Sequence, residues 1–242
     1  MRRRDVLFAA SCLISSLAFV GAGETIDVRS CGAVAGSPLH NVTNALAIKS
    51  CLANASAGDT IVVPAENTFY AVGGISASKL EGVTIRVDGI LAAVADFQRW
   101  PCPDGHKFLD FISCSGCSHL TVTGNGTLDG QGLAWWNQWV LGGIKGKHRP
   151  HLLVLNSCTN ALVEHIHMKN SPNYHLLLQN VAEVEVRYVS INVDRKAMRE
   201  VKRMKREIRL RALDGPLTDS PVLEPEDLVR ASCAICMNGS LD

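Results

Sequence analysis

The chain carries almost no net charge. Its 24 Lys and Arg oppose 23 Asp and Glu, leaving +1 over 242 residues. Whole-chain attraction to a polyanion is therefore excluded as an organising force. It also lacks an apolar run of membrane-spanning length. The largely apolar stretch from Val6 to Val20 falls short of the roughly 20 residues that cross a bilayer as a helix. Hydrophobic residues are not lacking: they make up 47% of the chain. That fraction excludes global disorder and, at this length, supports one sizeable domain with its own core.

Residues 1–22 read as a secretory signal. Arg2, Arg3 and Arg4 supply the positive start, and Val20-Gly21-Ala22 supplies small residues for cleavage. A core helix or a membrane anchor is the alternative, but three arginines have no place in a core. Secretion to an extracellular or cell-wall location is the expectation. Of nine cysteines, Cys12 falls in the signal; Cys31, Cys51, Cys102, Cys114, Cys117, Cys158, Cys233 and Cys236 remain. An even number in an oxidising compartment suggests disulfides. Cys31 and Cys51 are a candidate bridge, the rest of the connectivity is open, and buried free thiols are the alternative. Asn-x-Ser/Thr triplets make Asn41, Asn54, Asn125 and Asn238 candidate glycosylation sites, with Asn125 in a tight bend.

A degenerate repeat runs through residues 25–194. His151 to Asn156 resembles His175 to Asn180 at an offset of 24, and the segment from Ala161 to Met168 resembles that from Val184 to Ile191. Earlier copies pass through Phe108 to Phe111, Leu120 to Val122 and Val83 to Ile85. The units alternate apolar and polar residues and favour β-branched types, as short strands do. Periods of this size mark solenoids. The fold expected is all-β: a right-handed, single-stranded parallel β-helix with one strand per coil on each of three faces. On that register Asn156 and Asn180 stack at a coil corner. A β-sandwich also has many short strands, but an in-register repeat favours the β-helix. Helical spacing at Ala45, Leu46, Ala47, Ile48, Cys51 and Leu52 predicts a short helix over the open end of the first coil, capped by Asn41 or Thr43.

The character changes at Asp194. Residues 195–211 (195–212 at the widest) form a basic helical segment with Met198, Val201, Met204 and Ile208 on one side. It is the only candidate cap for the last coil. Linker signals at Gly215-Pro216 and Ser220-Pro221 precede Cys233-x-x-Cys236. That pair is half a zinc pattern whose other half is missing, since the chain ends six residues later. Three segments are thus expected: 1–22, 23–194 and a divergent tail over 195–242. No metal or cofactor is expected.

The run from Val122 to Trp136, with Gly126, Asp129, Gly130, Gly132, Trp135 and Trp136, resembles the N-terminal half of plant-type polygalacturonases of glycoside hydrolase family 28. Val28 to Ala33 is similar to that family's opening strand, and Thr60 to Pro64 to its next core strand. Arg149 to Leu152 and Asn170 to His175 match two further stretches in the family's order. The resemblance implies a pectin-lyase-like solenoid and inverting hydrolysis of α-1,4-galacturonan. Such chemistry needs a carboxylic acid and a carboxylate about 6.5–9.5 Å apart. The family takes them from Asn-Thr-Asp and Asp-Asp motifs, with a Gly-His-Gly histidine and an Arg-Ile-Lys pair nearby. This chain has none of the four, and no Asp-Asp dipeptide at all.

Asp219 in Leu217-Thr-Asp-Ser220 is the nearest remnant of the acid, though it reads first as a linker residue. His175, Arg149 and Lys147 are the candidate substrate contacts. Asp129 reads as a turn aspartate and the two tryptophans as a loop packed over the coil. The function expected is a secreted, polygalacturonase-like, monomeric glycosidase acting on pectin, weak or inactive as this truncated chain. The alternatives are a non-catalytic pectin-binding module and an incomplete gene product with an unrelated tail. Neither nucleic acid nor membrane is expected as a partner.

Overall fold

A computed structural model describes residues 23–144 and 147–213, with side chains through residue 206. Fifteen short strands wind into three parallel sheets. The first sheet orders β1 (Thr25–Asp27), β2 (Thr60–Val63), β5 (Thr84–Val87), β8 (Thr121–Thr123), β11 (Leu162–Glu164) and β14 (Glu185–Arg187). The second orders β3 (Thr68–Ala71), β6 (Ile90–Ala93), β9 (Thr127–Asp129), β12 (His167–Lys169) and β15 (Ser190–Asn192). The third orders β4 (Ile75–Ser78), β7 (Ile112–Ser115), β10 (Leu153–Asn156) and β13 (Leu176–Gln179). Each coil visits the sheets in turn, giving the expected right-handed parallel β-helix.

Like residues stack coil on coil. One ladder runs Ile61, Ile85, Val122, Val163, Val186. Another runs Phe69, Leu91, Leu128, Met168, Ile191. Full burial of each such side chain contributes about 1.5–3 kcal/mol. The burial ends at the last coil, where Val186 is 43% and Ile191 57% exposed.

The register shifts the alignment of His151–Asn156 by one residue and bears out that of Ala161–Met168 with Val184–Ile191. Leu153 pairs with Leu176, Leu162 with Glu185 and His167 with Ser190, an offset of 23 throughout. Asn156 therefore faces Gln179, and Asn180 is level with Ser157. Those two share a left-handed backbone (φ 50° and 53°) that turns the chain from the third sheet into the first. The predicted asparagine stack does not form.

Helix α1 (Asn41–Ala53) lies against β3 and β4, with Ala45, Ala47, Ile48, Cys51 and Leu52 buried; Leu46 points to solvent. Its cap is His40, without a side-chain hydrogen bond, rather than Asn41 or Thr43. Cys31 and Cys51 are bonded, Cα to Cα 5.8 Å. Val28–Cys31 is a 3-10 turn after β1, not the opening strand itself. Asn41 is only 2% exposed, so it has no room for a glycan; Asn54 and Asn125 are exposed.

Asn44 fixes α1 in place. Its side chain accepts from Val34 N at 2.7 Å and donates to Val34 O at 2.9 Å and Tyr70 O at 2.8 Å, fully buried. Asn44→Ala would orphan three backbone groups, and each buried polar group left unpaired costs about 1–3 kcal/mol. A fall in the urea midpoint with unchanged slope is expected; an unchanged midpoint would mean water replaces the side chain.

The basic segment is helical, α3 (Arg195–Leu213), but packs on α2 (Gly132–Leu141), not over the last coil. Val201 is buried, and Met198 and Met204 are half-buried. Ile208's side chain lies outside the described residues, as do residues 1–22, Asp219, Cys233, Cys236 and Asn238. Among the described residues no helix is long and apolar enough to cross a membrane.

Candidate functional site

Apart from the N-terminal segment 28–59, which links β1 to β2 within the first sheet and carries α1, the long excursions leave the coil at one corner, between the second and third sheets. They are residues 94–111, residues 130–152 with α2, and α3 after β15. The turns at the other corners stay short. Trp135 is on α2, not on a loop, and roots it among Phe97, Trp100 and Phe108, with ring centroids 4.6, 5.0 and 4.9 Å away. Trp136 donates its indole N–H to Ser171 O at 3.2 Å. A methyl on Gly130 would sit 2.6 Å from Asn170 O and 2.7 Å from Ser171 Cα. The glycine motif thus lets the excursion lie on the turn of the following coil.

That turn carries His175 and packs against His151 of the coil before it. His175 Nε2 accepts from Ser171 N at 3.2 Å. His151 Nδ1 accepts from Tyr174 N at 3.3 Å, and its ring stacks on Tyr174 at 5.2 Å. Both accepting nitrogens must be unprotonated. Burial lowers the pKa of each from the ordinary imidazole value. The unfolded chain then binds more protons than the folded one just below neutrality, so stability rises with pH there. It is complete above the unfolded value near pH 6.5 and lost as pH falls toward the folded value. His151→Asn and His175→Gln each keep an acceptor without a titrating group. Melting temperatures across acid pH should fall less steeply for both; slopes equal to wild type would remove these histidines from the pH response.

Ahead of α3 these excursions and the last residue of β9 carry five carboxylates, and every one is engaged. Asp96 pairs with Arg99 at 2.7 Å. Asp104 accepts from His106 N and Lys107 N, both at 2.8 Å, which holds its carboxyl below the usual range. Asp110 accepts from His151 N at 2.9 Å and faces Lys107 at 3.7 Å. Asp129 accepts from Gln131 N and Gln131 Nε2, both at 3.1 Å, and meets Lys169 at 3.3 Å. Asp194 caps α3, accepting from Lys196 N and Ala197 N at 2.9 and 3.0 Å.

Lys147 and Arg149 have no carboxylate partner among the described residues. Lys147 Nζ lies 5.2 Å above the Phe108 ring, and Arg149 lies 4.8 Å above Trp139, with Lys205 at 5.0 Å from the same ring. Cation–π contacts leave their charges uncompensated. After β15 a shallow pocket of about 450 Å³ is lined by Ile191, Asn192, Val193 and Arg195, with no carboxylate. The sequence missed Asp110, Lys169 and His151. Of these only His151 left a signal, since it opens a strand as His175 does.

The comparisons agree with this geometry. The family model for glycosyl hydrolases family 28 matches residues 51–203. A polygalacturonase of Cryptomeria japonica is 31% identical over 117 residues, which are 46% of this chain and 22% of that protein. A probable endo-xylogalacturonan hydrolase A of Aspergillus fumigatus is 28% identical over 138 residues, 57% of this chain and 32% of its own length. The chain thus spans a third or less of these curated relatives. Among solved structures, the endo-xylogalacturonan hydrolase from Aspergillus tubingensis superposes with TM-score 0.56 at 22% identity, covering 70% of this chain and 42% of that one. The exopolygalacturonase from Thermotoga maritima gives 0.56 at 17%, covering 70% and 47%. These two show the shared fold. With the family match covering well over half of its residues, coil by coil through the glycine motif and the histidine turns, the chain belongs to glycosyl hydrolases family 28.

Proposed function

We propose that this chain is a secreted, galacturonan-binding member of its family that hydrolyses pectin weakly or not at all by itself. One observation carries the reading: the excursion corner keeps unpaired cations while every carboxylate on it ahead of α3 is spent. Galacturonan presents one carboxylate per sugar, and Lys147, Arg149 and Arg195 suit it as anion contacts. His175 lines the same turn. Hydrolysis with inversion needs one carboxyl protonated beside the leaving oxygen and another free to activate water. Asp129 and Asp110 are each held by a lysine, and Asp194 is held by backbone amides, so none is free for either role. A positioned acid or base contributes roughly 10²–10⁴-fold in rate. The names of the relatives, polygalacturonase and endo-xylogalacturonan hydrolase, point to the same polymer class. The arginine-led apolar N-terminus and the Cys31–Cys51 bond support secretion.

Retention of the full chain on immobilised polygalacturonate, weakening as salt rises, tests the binding. Lys147→Ala with Arg149→Ala should elute earlier than wild type. Passage of the wild-type chain without delay at low salt would refute it.

A further inference from the structure

Away from the excursion corner, three buried thiols gather in the short turn from the third sheet to the first. Isolated bridges pair Glu81 with Ser118, Ser118 with Thr159 and Thr159 with Ala182. One residue earlier, the same register stacks Leu80, Cys117, Cys158 and Val181 as a single ladder. Neighbours on adjacent parallel strands stand about 4.8 Å apart. That lies inside the roughly 4.4–6.8 Å range of disulfide-bonded Cα atoms. Cys114 closes the group. Cys158 Sγ is 3.5 Å from Cys114 O, and Cys117 Sγ is 3.6 Å from Ser115 O. All three side chains are buried, yet Gly116, His119, Ser157 and Thr159 around them are exposed, so the cover is one residue thick.

We propose that Cys117 and Cys158 are an oxidisable pair that closes a disulfide between adjacent coils, with a low-molecular-weight disulfide as the oxidant. Cys117 is the attacking sulfur. Its thiolate is favoured by the hydrogen bond from Cys114, against burial, and then by the Leu80 and Lys79 amides, whereas burial raises Cys158. The Cys117 thiolate attacks one sulfur of the oxidant, forming a mixed disulfide and expelling one thiolate. The Cys158 thiol releases its proton, and its sulfur attacks that of Cys117, expelling the second thiolate. Two protein thiols lose two electrons and two protons, and the oxidant departs as two thiols. The new bond would bridge the longest coil, which contains all of α2, and would hold its two ends together when the chain unfolds.

The test uses the full-length chain incubated natively with excess oxidised glutathione, then alkylated and digested without reduction. Two alkylatable thiols should disappear, a peptide joining Cys117 to Cys158 should appear, and the melting temperature should rise. In Cys114→Ser the same cross-link should form more slowly; in Cys158→Ala both the cross-link and the melting shift should vanish. Full alkylation of Cys117 and Cys158, a glutathione adduct alone, or a Cys114–Cys117 link would overturn the assignment. None of these outcomes bears on galacturonan binding.

Discussion

Trp135→Ala should be the most damaging single side-chain truncation in the described fold, costing about 3–5 kcal/mol, the range for deleting a buried large aromatic. Trp135 is fully buried and makes edge contacts with Phe97, Trp100 and Phe108. These rings come from residues 94–111 and from α2, whose excursions also meet at the Lys107–His148 bridge. The indole is what joins α2 itself to residues 94–111. Removing it leaves a cavity that three rigid rings cannot collapse into, and it frees α2, on which α3 packs. Trp135→Phe separates ring packing from hydrogen bonding. The indole N–H has no partner among the described residues, so phenylalanine forfeits volume but no bond. Equilibrium urea unfolding should show a large fall in midpoint for Ala and a much smaller one for Phe. Equal losses would mean that the ring cluster is not what holds the corner together.

Gly126→Ala should cost about 3 kcal/mol or more, at or beyond the upper end for overpacking. The cause is backbone on backbone. A methyl at Gly126 would fall inside the envelope of Gly89 O and 2.7 Å from Val87 O. The same stretch carries the ladder: Gly126 N donates to Val87 O at 2.8 Å and Thr127 N to Gly89 O at 2.9 Å. Relieving the clash means parting two coils and breaking both bonds. Gly105 supplies the contrast. It has φ +71° and nothing within 4 Å of an added methyl. Alanine there meets only the left-handed penalty of about 1–2 kcal/mol. Urea midpoints of the two variants should therefore separate clearly. If they fall together, the close approach of coils at Gly126 is not the constraint.

The coil was legible because its cause is local. Inward β-branched and leucine positions recur, and each must stack on its neighbour. The misreading by one residue has an equally local cause: His151 and His175 both open strands and look equivalent, but Tyr174, not His175, is level with His151. Coil lengths were hidden too. Thr84 pairs with Thr121 and Thr121 with Leu162, because excursions of no fixed length are inserted at one corner. The site was less legible. Asp129 and the glycine motif stood out by composition. Lys169 meets Asp129, and Asp110 meets the His151 amide, only when chain segments tens of residues apart come together, and no spacing rule encodes that. Amphipathicity announced α3 as a helix, but what it packs against depends on α2, a neighbour that periodicity does not name.

The corner is proposed to hold an acidic sugar chain without the free acid and base to cut it. Incubating the full chain with saturating oligogalacturonate of one length, and following product lengths and reducing ends by mass spectrometry and colorimetry, tests this most directly. Intact oligomers, no more shortened than with heat-killed protein, are the predicted result. Progressive shortening that depends on the folded chain would contradict it.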